Sequence, residues 1–236
     1  MLNIVRQKLA LLFPRSINYQ VDRLLLLRYL AKSLPKKAHI IDVGAGTGST
    51  ARFIMELGKI SGENIHLIEA VPETFASMAI NNADLNCHNY AVASKSGTVS
   101  IFSADSTNPL AWKSATLYKG PITEKFGRSH VKERIVPAIN LNEFYQMHGL
   151  HYVDLLMLNC EGAEYEIFDG DINFLKSTRL VWIEIHGRAR AFLKFKSKRV
   201  ELYDLFEKLG FTRVAGHQRH HLTASNDHMT HLWERI

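Results

Sequence analysis

The sequence predicts a doubly wound α/β fold with a mostly parallel sheet. Three observations carry this: apolar segments of strand length recur along the chain, helical patterns separate several of them, and the first strand runs directly into a glycine-rich turn. The strands are expected at about residues 39–43, 65–69, 87–93, 153–159 and 180–186. In open parallel sheets ligands bind beyond the carboxyl ends of the strands, and Asp42, Glu69, Asn159 and His186 all fall at such ends.

The leading segment, residues 1–37, reads as helical and is expected to pack on or flank the core. Leu2, Val5, Leu9, Leu12 and Phe13 recur at helical spacing with Arg6, Lys8 and Arg15 among them. Charges interrupt its apolar part and no small-residue cleavage site precedes Pro14, so it does not resemble a secretory signal. Packing on the domain is the expected role of this basic helix, and peripheral contact with an anionic membrane is the alternative. A second helix runs through Leu24 to Leu27, Tyr29, Leu30 and Leu34, and Pro35 ends it before the first strand.

That strand and its turn read Ile40-Ile41-Asp42-Val43-Gly44-Ala45-Gly46-Thr47-Gly48, and a helix over Ser49 to Leu57 follows. Glycine lets the backbone turn sharply and approach a ligand closely, so a nucleotide-type cofactor is expected here. The dinucleotide fingerprint is G-x-G-x-x-G, whereas this chain has G-x-G-x-G with Ser49 at the position of the third dinucleotide glycine. The acid Asp42 precedes the turn, and Glu69 ends the second strand about 20 residues further on, where a carboxylate can accept from ribose hydroxyls. Together these features resemble the class I methyltransferases that use S-adenosylmethionine.

Beyond the second strand, Pro72 to Asn81 has a helical pattern, and after Ala93 the regular alternation stops. Lys95 to Thr98 predicts a turn and Val99 to Phe102 a short strand, while residues 103–134 are polar and poorly periodic. With Trp112, Tyr118 and Phe126 inside it, that insertion is expected to form an ordered lid near the acceptor. Tyr165 to Leu175 predicts a helix, and Phe211 to Val214 with His228 to Arg235 a closing hairpin. The domain proper is therefore expected over residues 38–236.

The second informative stretch is Val153-Asp154-Leu155-Leu156-Met157-Leu158-Asn159-Cys160-Glu161-Gly162-Ala163-Glu164, a buried-type strand that ends in a polar cluster. It resembles the FkbM family of methyltransferases, whose pattern is similar to K-I-D-x-E-G-A-E after an I-D-x-L lead. Asp154, Leu155, Glu161, Gly162, Ala163 and Glu164 match, while Met157 replaces the usual lysine and Asn159 the usual aspartate. The resemblance runs from about Ala38 to Gly187, through Glu69-Ala70-Val71-Pro72, Asn89 to Ala93, Gly97-Thr98-Val99 and Trp182 to His186.

This resemblance implies a seven-stranded Rossmann-like sheet with a C-terminal antiparallel hairpin, and methylation of a hydroxyl on a sugar, glycan or secondary metabolite with S-adenosylmethionine as donor. Asp42, Gly44, Ala45, Gly46 and Gly48 are expected to frame the methionine part, Glu69 the ribose, and Ala70 and Ala91 the adenine. An alcohol is a poor nucleophile until a base draws off its proton, which makes Glu161 and His186 the candidate bases. Asn159 is an amide, suited to hydrogen bonding and unable to act as a base. Each also has a plain structural reading: Glu161 as a first-turn acid, Glu164 as a capping acid, His186 as a satisfied histidine at a strand end. Two other activities stay open at this point: an N-directed or RNA ribose-directed methyltransferase, and an inactive cofactor-binding module acting at a membrane or partner.

Composition bounds the remaining classes. Hydrophobic residues make up 46% and charged residues 22%, with no apolar run near the roughly 20 residues of a membrane span. Formal net charge is +6, concentrated in the first 37 residues and in Arg188, Arg190, Lys194, Lys196, Lys198 and Arg199. No RNA-binding motif with paired aromatics accompanies it, so nucleic acid is not an expected partner. Cys87 and Cys160 are the two cysteines and form no C-x-x-C pair, which predicts a reducing, cytoplasmic setting without disulfides. His217, His220, His221 and His228 lack a strong ligand spacing, and no metal is expected.

Overall fold

The computed structural model describes residues 15–104, 115–119, 131–186, 196–218 and 228–235. The chain builds α1 (Arg15–Ser33), β1 (Ile40–Val43), α2 (Ser49–Gly58), β2 (Ile65–Ile68), α3 (Pro72–Asn81), β3 (Asn86–His88), β4 (Ala91–Val92), β5 (Gly97–Ala104) and β6 (Val131–Ile139). It continues through α4 (Leu141–Met147), β7 (Val153–Leu158), α5 (Glu164–Ile167), β8 (Thr178–His186), α6 (Lys196–Lys208), β9 (Phe211–Gln218) and β10 (His228–Arg235).

Seven strands form one sheet in the order β3-β2-β1-β7-β8-β10-β9. β1, β2, β3, β7 and β8 run parallel, and β10 lies antiparallel between β8 and β9, which is the expected closing hairpin. The order reverses between β1 and β7, so a crevice opens there beyond the carboxyl ends of both strands.

Strand side chains alternate between the two faces, and the buried residues divide accordingly. Ile41, Val43, Leu156, Leu158, Val181 and Ile183 share one core with Phe144, Tyr165 and Phe206 from α4, α5 and α6. Ile40, Leu155, Met157, Leu180 and Trp182 share the other with Leu30, Ile54 and Met78 from α1, α2 and α3. Near-continuous apolar strands are what two-sided burial demands, and β1, β2 and β7 are buried along their whole length.

Three expectations change in detail. The single strand expected at 87–93 is two strands: the Asn89 side chain donates to the carbonyls of Glu69 and Ala70 (2.8 and 3.3 Å), and the chain leaves the main sheet there. β4 pairs instead with β6, and β6 with β5, in a separate three-stranded sheet. Part of the stretch read as irregular, from residue 131 onward, is thus the start of a nine-residue strand. The helix expected over Tyr165 to Leu175 is one turn of α5 followed by a 3-10 segment, Asn173–Ser177. Gly170 lies so close to the Ser94 carbonyl that a Cβ would sit 2.6 Å from it, and the Asp171 carboxylate accepts from the Asn173 N–H (3.0 Å) to start a new turn.

Within 103–134, Thr116 pairs with Phe102 through two backbone hydrogen bonds, and the rest of that stretch apart from residues 103–104, 115–119 and 131–134 lies outside the described residues. The N-terminal basic helix through Phe13, the basic residues Arg188, Arg190 and Lys194, and His220 and His221 also lie outside them. Among the described residues no helix is long and apolar enough to cross a membrane, and both cysteines are free thiols.

Gly44 and Gly46 separate two kinds of glycine. Both have positive φ, 75° and 59°. A Cβ on Gly44 would run into the carbonyl of Asn159 at the end of β7, whereas a Cβ on Gly46 meets nothing within 4 Å. Gly44→Ala is therefore expected to destabilise the protein by about 3 kcal/mol or more, and Gly46→Ala by about 1–2 kcal/mol. Urea unfolding of the two variants at neutral pH checks the ordering.

Candidate active site

A cavity of about 310 Å³ occupies the crevice between β1 and β7. Its floor is the end of β1 with the turn Val43 to Thr47, one wall is Glu69, Ala70, Tyr90, Ala91 and Val92, and the other is Leu158, Asn159, Cys160 and Glu161. The residues expected to bind a cofactor therefore come together here, with one exception. Gly48 does not line the cavity: its N–H closes the turn onto the Ala45 carbonyl (2.8 Å), and a Cβ would press on Leu67 and Asn82. Its role is the packing of the turn.

The turn is held from the neighbouring strand. The N–H groups of Gly44 and Ala45 both donate to the Ile68 carbonyl (2.9 and 3.1 Å), and the Asn159 N–H donates to the Val43 carbonyl (3.0 Å). Glu69 is braced in turn, its Oε2 accepting from the Gly46 N–H (2.9 Å) and its Oε1 from the Val71 N–H (2.8 Å). One bond to each oxygen leaves further acceptor capacity on both. Burial raises the Glu69 pKa, and these backbone donors work against that rise.

Asp42 sits deeper and is only 5% exposed. Burial above all, and then the negative charge of Glu69, push its pKa up to about 7, while Arg23 and a hydrogen bond from the Ala51 backbone pull the other way. Its Oδ2 is buried without a hydrogen-bond partner among the described residues. A buried carboxylate oxygen beside a cavity, with nothing to accept from, matches a cationic or hydrogen-bond-donating ligand.

On the opposite wall the backbone of Glu161 is left-handed, with φ at 51°. A non-glycine residue in that region costs about 1–2 kcal/mol, and such strain collects where a side chain has to be aimed. Glu161 lines the cavity, and its carboxylate lies 3.7 Å from Nε2 of His186. His186 itself stands behind it, 3% exposed and outside the cavity lining. Its Nδ1 donates to Oε1 of Glu164 (3.1 Å), an oxygen that also accepts from the Cys160 N–H (2.9 Å).

Burial alone would lower the His186 pKa, yet the charge and hydrogen bond of Glu164, followed by the charges of Glu161 and Glu184, outweigh it and raise the pKa to about 10. The imidazole named as a candidate base is therefore an imidazolium with both nitrogens protonated, which has no lone pair to accept a proton. The three residues named as catalytic thus separate: Asn159 and Glu161 line the cavity, and His186 lies outside the lining against Glu161 and Glu164.

Several lining residues were not among the expected site residues. Arg23 comes from α1 and donates to the Thr50 hydroxyl (3.1 Å). Trp182 and Glu184 reach the cavity from β8, and the Trp182 indole Nε1 is buried with no partner among the described residues. Ile101, Ala115, Thr116 and Leu117 close it from the smaller sheet. Tyr90, Trp182 and Glu184 had a cue, since they fall in the segments Asn89 to Ala93 and Trp182 to His186 already singled out.

The sequence pattern of one protein family, the methyltransferase FkbM domain, matches residues 42–213. Among solved structures, the methyltransferase FkbM from Methylobacillus flagellatus is similar with a TM-score of 0.50 and 12% identity, over 84% of this chain and 44% of that one. The putative tRNA (m1A22) methyltransferase from Streptococcus pneumoniae is similar with a TM-score of 0.47 and 12% identity, over 89% of this chain and 68% of that one. M. jannaschii TYW2 in complex with AdoMet has a TM-score of 0.43 at 11% identity, over 91% of this chain and 77% of that one. At these identities the likeness is one of fold. No curated protein matches the chain.

The raised pKa of Asp42 has a direct consequence for stability. Between its ordinary value of 3.8 and about 7 the folded chain holds a proton that the unfolded chain has released. The contribution of Asp42 is thus most favourable below that window and is lost as pH rises through about 7. Asp42→Asn removes the penalty, so the variant is expected to match the wild type near pH 4 and to unfold at higher urea concentration at pH 8. Urea midpoints across that range measure the difference in slope.

Proposed function

The chain belongs to the FkbM methyltransferase family, and on that premise we propose that it transfers a methyl group from S-adenosylmethionine to a hydroxyl oxygen of a sugar, glycan or secondary metabolite. The observation that carries the proposal is the pairing of two carboxylate walls across one cavity: Asp42 and Glu69 on the side of the glycine turn, Glu161 on the other.

The residues present fit the donor. Asp42, with its unpartnered buried oxygen, is matched to the positive methionine end, and Gly44 to Gly46 offer bare backbone along it. Glu69 is held by backbone donors so that its remaining lone pairs meet paired ribose hydroxyls. Ala70, Tyr90 and Ala91 supply the flat, mostly apolar wall that an adenine needs. When bound, the donor supplies an electrophilic methyl group on a sulfonium that needs no acid to leave.

What this chain must add is alignment and a base. Glu161 is the base: it accepts the proton of the acceptor hydroxyl as the oxygen attacks, and general-base assistance of this kind is worth about 10²–10⁴-fold. His186, charged and fixed to Glu164, is a positioning residue whose Nε2, 3.7 Å from the Glu161 carboxylate, holds that side chain in place. Asn159 orients ligands through its amide. Holding acceptor and donor in line supplies several further kcal/mol, about 7 at the low end of what orientation can give.

Glu161→Gln is expected to lower kcat by about 10²-fold or more while leaving S-adenosylhomocysteine affinity within about threefold, because one carboxyl oxygen is exchanged for an amide of the same shape. Single-turnover methyl transfer, with product mass analysis on a glycan and metabolite extract, reads both the rate and the acceptor class. Transfer to nitrogen alone, or an unaltered rate in the variant, contradicts the proposal. Affinity for the donor is also expected to rise as pH increases through about 7, because a cation favours ionised Asp42, and Asp42→Asn is expected to flatten that dependence. Calorimetric titration at pH 6 and pH 8 tests it.

A further inference from the structure

Away from the cavity, three histidines from distant parts of the sequence meet at the open edge of the main sheet. His66 is in the middle of β2, His88 ends β3, and His148 follows the last turn of α4. One ring nitrogen from each lies within 4.8 Å of the other two. The rings converge with centroids 4.6 to 5.3 Å apart, and Phe144 backs all three at 4.5 to 5.6 Å.

A packed histidine cluster of this kind has an electrostatic and a hydrogen-bonding problem. Burial first, and then the neighbouring histidines, push the His66 pKa down to about 3, and burial with His148 pushes His88 down to about 4. Burial lowers His148 as well. Burial thus disfavours the charged form of each ring, and a neutral imidazole offers one nitrogen lone pair. Nδ1 of His66 and Nε2 of His88 face each other at 3.1 Å, and Nε2 of His148 is buried with no partner among the described residues.

We propose that His66, His88 and His148 form a three-histidine site for a divalent late first-row metal ion, Zn²⁺ foremost, which joins β2 and β3 to the end of α4. Tetrahedral zinc with Zn–N distances of about 2.0–2.1 Å places two ligand nitrogens about 3.3 Å apart, and the His66–His88 pair already stands close to that spacing. His88 and His148 are partly exposed, which leaves water a path to the fourth position. Imidazole nitrogens without carboxylates favour zinc, nickel or copper over magnesium or calcium. Phe144 provides the apolar shell that fixes the ring planes.

The site has a structural output. The His88 carbonyl accepts the Glu69 N–H (3.1 Å), so an ion clamping β2 to β3 fixes the strand ends from which Glu69 projects. It does not depend on the methyltransferase reading, since neither the ligands nor the test involves the donor or acceptor.

The test uses the full chain, stripped with a chelator and titrated with Zn²⁺ or Co²⁺ alone. The wild type is expected to bind one ion per chain, to show the intense visible bands of tetrahedral Co²⁺, and to melt at higher temperature with Zn²⁺ than without. His148→Gln, at a partly exposed helix end where folding is least at risk, and His88→Asn with His148→Gln are each expected to weaken Zn²⁺ binding about 100-fold or more and to abolish the thermal shift. A variant with His217, His220, His221 and His228 all changed to Asn controls for adventitious capture and is expected to bind as the wild type does. The proposal is overturned if the wild type binds no ion, if the His148→Gln chain binds Zn²⁺ unchanged, or if the four-Asn chain loses the binding.

Discussion

The arrangement rests on one close approach: the backbone of Gly44 lies against the carbonyl of Asn159, where β1 and β7 end side by side at the reversal of strand order. Any Cβ at residue 44 would force the two strand ends apart. Because none is there, the Asn159 N–H reaches the Val43 carbonyl, the turn folds back onto Ile68, and the two walls of the cavity are set a fixed distance apart. The carboxylates on those walls inherit that geometry. Asp42 and Glu69 hang from the β1 and β2 side, Glu161 from the β7 side.

Charge is then distributed in two layers. Facing the cavity, burial raises the pKa of two carboxylates, the charge of Glu69 adds to the rise at Asp42, and one Asp42 oxygen is left unpartnered among the described residues, which is an unfavourable state of the free protein and a favourable one for a cationic ligand. Behind the opposite wall, the His186 imidazolium lies against Glu164 and Glu161, and that buried charge is stabilised only while its carboxylate neighbours remain. The polarity of the site thus follows from which ionisable groups the sheet buries next to one another. The left-handed backbone at Glu161 is the local cost of turning the third carboxylate into the same space.

Much of this was legible in the sequence where the signal is local. The glycine turn, the acid ending β2, and the run from Val153 to Glu164 each occupy a few consecutive residues, and periodicity placed α2, α3 and the hairpin strands within a few residues. Signals that depend on partners distant in sequence were not legible. The break between β3 and β4 is made by Asn89 reaching carbonyls 19 and 20 residues away, and the shortening of α5 by Gly170 against Ser94. His186 reads as an ordinary titrating histidine until the fold sets two carboxylates beside it. The same holds for the histidine cluster, whose members are separated by 22 and 60 residues and match no compact ligand spacing. Arg23 enters the cavity for the same reason, from a helix whose periodicity reported only that it packs.

The central claim is that the cavity between β1 and β7 seats the donor with its ribose on Glu69 and its sulfur toward Glu161. The crystal structure of the full chain with S-adenosylhomocysteine tests it most directly. The account predicts both ribose hydroxyls within hydrogen-bonding distance of the Glu69 carboxylate, the amino group beside Asp42, and the sulfur facing the open space before Glu161. A nucleoside seated elsewhere, or seated here with its ribose turned away from Glu69, would contradict it.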